Sequence, residues 1–165
     1  LGGYAIMYLN GVVDWSSKQV KIVPVSSCEA ETAVASTAAK ATCFARELLR
    51  FHGRPVAAST PMLGDNEATH TLITQEGATA RTRYYERATL LVKRAVLMLV
   101  LNPLLVKTTF MLADIFTKAA DKPTFVRLRN RMMNCHAHLD DPLRQAAYTL
   151  HDEGLRMLAR LRRQM

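Results

Sequence analysis

The chain has 165 residues, of which 49% are hydrophobic and 22% charged, and its formal net charge is +8. This length suits one folded domain, and the apolar content with both signs of charge argues against a disordered chain. The positive surplus is compatible with a nucleic-acid or other polyanionic partner and equally with solubility alone.

The cysteine and hydrophobic patterns indicate an intracellular protein with no membrane partner. Cys28, Cys43 and Cys135 are odd in number and form no Cys-x-x-Cys pair, which fits a reducing compartment. The longest apolar run, AVLMLVLNPLLV, is interrupted by an Asn-Pro pair and is shorter than the ~20 residues that a membrane helix needs.

The first 25 residues are typical of β-structure. Residues 4–9 are rich in β-forming side chains, and Asn10-Gly11 is a strong signal for a hairpin turn. Residues 12–15 and 20–25 continue the extended pattern. Pro24 favours a strand at a sheet edge, because proline removes a backbone donor.

A long helix is predicted next, from Ser26 to about Phe51. Ser26 and Glu29 have the spacing of a capping box, in which each side chain satisfies a free amide at the helix start. Gly53 followed by Pro55 is a typical helix stop.

Two glutamates near the start of this helix fall on different faces. The residues three, four and seven positions after Glu31 are Val34, Ala35 and Ala38, whereas the face that continues from Glu29 is mixed. We therefore expect Glu29 to be a solvated cap and Glu31 to open the apolar stripe. A carboxylate in that position either reaches water at the rim of the core or is paired or metal-bound, because burying it alone is costly.

Two further carboxylates stand at element boundaries. Residues 61–64 predict a short strand, which is followed by Asp65, Asn66 and a helix from Glu67. Open α/β sheets present functional groups where strands end, although Asp65 can equally be a helix N-cap. A strand predicted at residues 104–111 leads into Asp114, which stands close to the start of another helix.

Residues 80–100 predict a basic amphipathic helix. Arg81, Arg83 and Arg87 supply positive charge near its start, and residues such as Leu91 and Met98 supply an apolar side. A solvated face and a phosphate-binding surface both fit this pattern.

Four segments occur in the order and approximate spacing of one known family. They are GGYAIMYLNG (2–11), VDWSSKQVKIVPVSSCEAE (13–31), LGDNEATHTL (63–72) and MLADIFTKA (111–119). The chain resembles the ribonuclease H region that ends the polyprotein of copia-type retrotransposons, whose segments read W-S-S-K-K-Q, L-S-S-T-E-A-E-Y, C-D-N and A-D-I-F-T-K. The resemblance covers residues 1–134, and residues 135–165 continue beyond the usual end of the family.

The resemblance implies an α/β fold, namely a ribonuclease H-like mixed sheet flanked by helices. It implies that Glu31, Asp65 and Asp114 hold two Mg²⁺ or Mn²⁺ ions over the RNA strand of an RNA–DNA hybrid, so we expect the three carboxylates to converge. Mg²⁺ prefers such oxygen ligands, and two ions about 4 Å apart activate water and stabilise the leaving oxygen. Arg81, Arg83 and Arg87 are expected to contact nucleic acid.

The chain also departs from the family pattern. The family's first catalytic Asp lies on a central strand that precedes the GGYAI-like segment, and Asp14 does not align with it. We therefore expect a fragment of a longer polyprotein, with exposed sheet edges where that strand is missing. Residues 80–86 correspond to the family's S-R-T-K-H-I-D segment. There this chain has Tyr84 in place of the His and Glu86 in place of the Asp.

Residues 135–165 predict an amphipathic helical extension with a basic end, which suits docking on the core or binding to nucleic acid or a partner. Two functions remain open for the whole chain. The first is a ribonuclease H module that degrades RNA in hybrids during reverse transcription, next to the upstream reverse-transcriptase part, in a cytoplasmic retroelement particle or the nucleus. The second is a catalytically dead remnant that binds nucleic acid or is purely structural. Because the first catalytic Asp is missing, we expect this chain alone to cleave hybrids little or not at all.

Overall fold

A computed structural model describes residues 1–20, 26–75 and 86–134. The strand predicted at residues 21–25, the basic residues Arg81 and Arg83, and the extension at 135–165 lie outside the described residues. Within the described ranges, no helix combines the length and the apolarity that crossing a membrane requires.

The described residues form a mixed α/β fold, which confirms the predicted class. In chain order the elements are β1 (Gly2–Tyr8), β2 (Gly11–Lys18), α1 (Ser27–Phe51), β3 (Thr60–Gly64), α2 (Glu67–Thr74), α3 (Glu86–Leu97), β4 (Leu101–Leu105), two 3₁₀ turns (Thr108–Phe110 and Leu112–Phe116) and α4 (Lys122–Met132).

The hairpin predicted at the start of the chain is present. β1 pairs antiparallel with β2 from Gly2 opposite Lys18 to Tyr8 opposite Gly11, with a bulge after Ile6. The turn is formed by Leu9 and Asn10, whose φ angles are 49° and 68°. The turn pair therefore lies one residue earlier than Asn10-Gly11, and a leucine occupies a left-handed position that glycine or asparagine would adopt more easily.

The second sheet pairs β3 and β4 in parallel, from Thr60 opposite Leu101 to Gly64 opposite Leu105. The strand predicted at residues 104–111 is therefore wrong in position, because β4 ends at Leu105 and a 3₁₀ turn follows. Pro103 lies inside β4. Proline is tolerated in an edge strand when its missing donor faces away from the partner, and β3 is the only partner of β4 among the described strands.

The helix α1 begins and ends as its sequence predicts. The Ser26 side chain accepts a hydrogen bond from the Glu29 amide at 3.2 Å, and Gly53 after the helix has a φ of 73°. One prediction was wrong, because Glu29 is buried at 7% exposure instead of solvated. It continues the stripe of Thr32 and Ser36, a mixed face that the neighbouring elements cover.

The hydrophobic core lies between α1, α2, α3 and β4. Its buried members are Ala35, Ala39, Ile73, Val92, Ala95 and Leu101. The alanines of α1 have little side-chain volume, so α3 can pack closely against this face. The adjoining face of α1 contacts β1 and borders a large cleft, and Ala35 takes part in both the core and the cleft wall.

Candidate acidic site in the cleft between the two sheets

A cleft of about 1650 Å³ lies between the hairpin and the β3–β4 sheet. Its walls are β1, β3, the end of β4, one face of α1, the 3₁₀ turns and α4. A group of charged and amide side chains lines it, which we call the acidic site: Glu31, Asp65, Asn66, Asp114 and Lys118. The three carboxylates predicted to converge therefore border the same cleft, although they come from three separate segments.

Asn66 joins two of these segments. It is the N-cap of α2, where its Oδ1 accepts a hydrogen bond from the Thr69 amide at 2.9 Å, and its Nδ2 donates to Glu31 Oε1 at 3.1 Å. Because Asn66 takes the capping position, Asp65 does not need to. Asp65 directly follows β3 and is only partly buried, so its carboxylate remains able to bind a ligand.

Asp114 lies in the first turn of the 3₁₀ helix Leu112–Phe116, close to the start of a helix as predicted, although this helix is a short 3₁₀ turn. β2 holds this turn from the other side. Trp15 stacks on Phe116 with ring centroids 5.2 Å apart, and Ser17 Oγ donates to the Phe116 carbonyl at 2.6 Å. Lys118 Nζ bonds Asp114 Oδ2 at 2.9 Å.

Two glycines allow α1 and this turn to approach β1. A Cβ atom on Gly2 would overlap the Val34 side chain of α1. On Gly3 it would lie 2.9 Å from both the Ser16 carbonyl oxygen and Thr117 Cγ2. Val34 and Thr117 each lie three residues after a candidate carboxylate, so the small size of both glycines lets the segments that carry Glu31 and Asp114 pack closely on β1.

The charges in the acidic site influence one another. Burial raises the pKa of the Glu31 carboxyl, the hydrogen bond from Asn66 opposes this rise, and the nearby negative charge of Asp65 adds to it. Lys118 opposes the rise in the pKa of Glu31, and Asp114 adds to it. The hydrogen bond to Asp114 raises the pKa of the Lys118 ammonium, burial lowers it, and the surrounding carboxylates raise it further.

The donor chemistry of the acidic site fits a hard divalent cation, because carboxylate oxygens are the ligands that Mg²⁺ and Mn²⁺ prefer. The spacing is different from that of an assembled centre. Within residues 1–20, 26–75 and 86–134, no group of three His, Cys, Asp or Glu side chains is arranged to hold a metal ion. One carboxylate oxygen of Glu31 and one of Asp114 already accept hydrogen bonds, from Asn66 and Lys118.

Basic side chains of the described residues lie both at the cleft and away from it. Arg87 is exposed on α3 and does not line the cleft. Arg127 and Arg131 of α4 do line it, and sequence reasoning did not select them. Arg127 Nη1 donates to the Thr109 carbonyl at 2.7 Å, while Arg131 lies 5.8 Å from the centre of the Phe110 ring. Arg127 and Arg131 are four residues apart, and this spacing was the signal in the sequence that both lie on one face of a helix.

Asp14 has a role outside the acidic site. Its Oδ2 accepts a hydrogen bond from Tyr4 Oη at 3.1 Å across the hairpin, and its Oδ1 accepts from the Trp15 amide at 2.9 Å. Asp14 is not among the residues that line the cleft.

No protein-family model matches the chain, and neither the curated proteins nor the solved structures contain a significant match.

Proposed function

We propose that the chain is a ribonuclease H-like module that binds an RNA–DNA hybrid and divalent cations at the acidic site. The observation that carries this proposal is the position of Glu31, Asp65 and Asp114. Three of the four family-like segments contain these residues, and all three residues line one cleft although more than 80 residues separate the first from the last. The proposal includes an upstream reverse-transcriptase part and an intracellular setting, cytoplasmic or nuclear.

In this proposal each residue has a distinct task. Glu31, Asp65 and Asp114 would hold the cations, and Asn66 orients Glu31 through its hydrogen bond. Lys118 pairs with Asp114 and lowers the repulsion between the carboxylates while no cation is bound. When bound, two Mg²⁺ ions supply an activated water and stabilise the leaving oxygen at the scissile phosphate.

A second candidate function is nucleic-acid binding without cleavage. Among the described residues, the carboxylates are not arranged as a set of metal ligands. Lys118 also forms an ion pair with Asp114, so one oxygen of that carboxylate already has a partner. Displacements of about 1 Å in such a site can lower a rate about 100-fold. We therefore expect this chain to bind hybrids and to cleave them slowly or not at all.

The test combines cation binding with hybrid cleavage. Wild type, Asp65→Asn and the matched control Asp121→Asn, an exposed residue at the start of α4, are titrated with Mn²⁺ by calorimetry and incubated with a labelled hybrid. We expect Asp65→Asn alone to weaken Mn²⁺ binding, by about tenfold or more for the loss of a charged ligand.

Three results discriminate between the candidates. Cleavage that Asp65→Asn abolishes supports the nuclease, and hybrid binding without cleavage supports the second function. Mn²⁺ binding that is equal in all three proteins, together with no hybrid binding, would overturn both.

A further inference from the structure

The solvent side of α1 has a row of exposed side chains along its C-terminal half. We call this row the outer stripe, and its members are Thr37, Lys40, Phe44, Glu47 and Phe51. They are alternately three and four positions apart, so they lie on one face of the helix. Phe44 is 71% exposed and Phe51 is 84% exposed, whereas phenylalanine is usually among the most buried residues.

The outer stripe is separate from the core and from the acidic site. The core packs against another face of α1, which includes Ala35 and Ala39. No member of the outer stripe is among the residues that line the cleft. An interaction at this surface therefore uses none of the three candidate carboxylates and does not rest on the proposed function.

Two opposite charges flank Phe44 on the outer stripe. Lys40 lies four residues before it, and within residues 1–20, 26–75 and 86–134 Lys40 takes part in no ion pair. Glu47 lies three residues after it, and its Oε2 accepts hydrogen bonds from Arg50 at 2.6 and 3.0 Å. The Glu47 side chain is still 65% exposed, so its carboxylate is able to meet a second cation.

This order of charges is complementary to itself when two copies of α1 lie antiparallel. A two-fold axis beside Phe44 brings the two Phe44 rings together and places Lys40 of each copy beside Glu47 of the other. Phe51 then lies over the Thr37 methyl group of the other copy. A parallel pair would instead place Lys40 against Lys40 and Glu47 against Glu47, and like charges across an interface are unfavourable.

We propose that the outer stripe is the interface of a two-fold symmetric dimer, in which α1 of one copy packs antiparallel against α1 of a second copy. The symmetry makes each contact occur twice, so every dimer has a pair of Lys40–Glu47 contacts. Burial of the phenylalanine rings supplies the affinity, and the charge pairs select the antiparallel orientation.

Other partners fit the outer stripe less well. The phosphates of a nucleic acid gain nothing from the phenylalanine rings and are repelled by Glu47. A lipid surface would bury Glu47 beside the rings without giving it a cation, which is costly. Only a surface with the same alternation of ring and charge satisfies both Lys40 and Glu47, and a second copy of α1 provides it.

The size of the outer stripe indicates a weak dimer. A buried aromatic side chain covers about 150–250 Å². The four phenylalanines of a dimer therefore supply about half or more of the roughly 1,200 Å² at the lower limit of stable, specific interfaces. We expect the dimer to form at micromolar concentrations.

Sedimentation velocity of the full 165-residue chain tests the proposal, at concentrations from about 1 to 200 μM. We expect the wild type to shift from monomer to dimer across this range. Phe44→Ala should weaken dimer formation at least ~10-fold, because it removes the ring at the two-fold axis. Phe125→Ala, at a phenylalanine of α4 that is 45% exposed, is the matched control and should keep the wild-type affinity.

Charge reversal tests the antiparallel orientation. Lys40→Glu brings two carboxylates together at each contact, and Glu47→Lys brings two ammonium groups together, so each variant alone should remain monomeric. An equal mixture of the two variants should associate again, because every contact then joins a carboxylate to an ammonium group. Lys122→Glu, at an exposed position of α4, makes the same change of charge as Lys40→Glu and should dimerise like the wild type.

Several outcomes would overturn the proposal. A wild type that stays monomeric at every concentration would show that the outer stripe does not bind a second copy. Single charge variants that dimerise like the wild type would place the interface elsewhere. A mixture that fails to associate would exclude the antiparallel pairing, and growth beyond a dimer would exclude a closed two-fold interface.

Discussion

Glu31 is a half-buried carboxylate whose surroundings raise its pKa above the ordinary value of 4.5, chiefly through burial. The folded chain therefore binds the proton more tightly than the unfolded chain does. It follows that the free energy of unfolding falls as the pH rises from about 4.5 through the folded pKa. Ionised Glu31 therefore lowers the free energy of unfolding at a pH above that range.

We expect Glu31→Gln to be more stable than wild type at neutral pH, because glutamine keeps an acceptor for Asn66 and carries no charge. The difference should vanish as the pH falls below 4.5. Thermal unfolding from pH 4 to 8, in the presence of a chelator, measures both effects. Glu47→Gln, on an exposed residue of α1, should show no such dependence, and a destabilised Glu31→Gln at pH 7 would contradict the argument.

Arg46 is a second residue whose surroundings give it a defined task. Its guanidinium donates to the carbonyls of Val56 and Ala58 and to Thr60 Oγ1, all at 2.8–2.9 Å, and so ties α1 to the start of β3. We expect Arg46→Met to lower the free energy of unfolding by about 2–3 kcal/mol, because it leaves acceptors in a partly buried place without a donor.

Urea denaturation measures the effect of Arg46→Met. The control is Arg50→Met on the same helix, whose ion pair with Glu47 is exposed and should matter by less than about 1 kcal/mol. Equal effects of the two substitutions would show that Arg46 contributes only as a surface charge.

At the scale of elements, two helices end in the same way with different residues. After α1, the Gly53 N–H donates a hydrogen bond to the Arg50 carbonyl, and the Arg54 N–H donates to the Leu49 carbonyl. After α3, the Leu99 N–H donates to the Val96 carbonyl, and the Val100 N–H donates to the Ala95 carbonyl. Both are Schellman motifs, in which the residue after the helix is left-handed. The φ angles are 73° at the glycine and 54° at the leucine.

We expect Leu99→Gly to raise the free energy of unfolding by about 1 kcal/mol, because a left-handed side chain costs about 1–2 kcal/mol and glycine loses part of this gain through its unfolded-state entropy. Leu99 is 58% exposed, so little burial is lost. Thermal unfolding should show an increase of roughly 2–4 °C. Gly53→Ala provides the reverse test and should destabilise, and a lower melting temperature for Leu99→Gly would refute the account.

At the scale of the whole molecule, positive charge is spread over several surfaces. Arg87 is exposed on α3, and Arg127 is exposed on α4 beside the cleft. Contacts to phosphates release counterions, so we expect hybrid affinity to fall steeply as salt rises from about 50 to 200 mM. We expect Arg87→Gln and Arg127→Gln each to reduce the slope of log affinity against log salt by about 1.

Fluorescence anisotropy with a labelled hybrid at four salt concentrations measures these slopes. Lys40→Gln, at an exposed position of α1 outside the cleft, is the control and should keep the wild-type slope. An affinity that does not change with salt would contradict a phosphate-binding surface. An unchanged salt slope for Arg87→Gln would show that α3 is not part of the phosphate-binding surface.

Local signals in the sequence were sufficient for the ends of several elements. Ser26 and Gly53 mark the ends of α1, and the start of α2 at Glu67 follows from the Asp65-Asn66 pair before it. These signals act through neighbouring backbone amides and carbonyls, so a single short segment contains all the interactions that they need.

Tertiary structure alone decided which faces are covered and which groups meet. Glu29 is buried because other elements pack on its side of α1, and Asn66 donates to Glu31 because the fold brings the start of α2 beside α1. The parallel pairing of β3 with β4 also emerged only from the structure, because these strands are distant in the chain. Such features depend on contacts between segments far apart in the chain, whereas the sequence determined the residues and local turns that those contacts bring together.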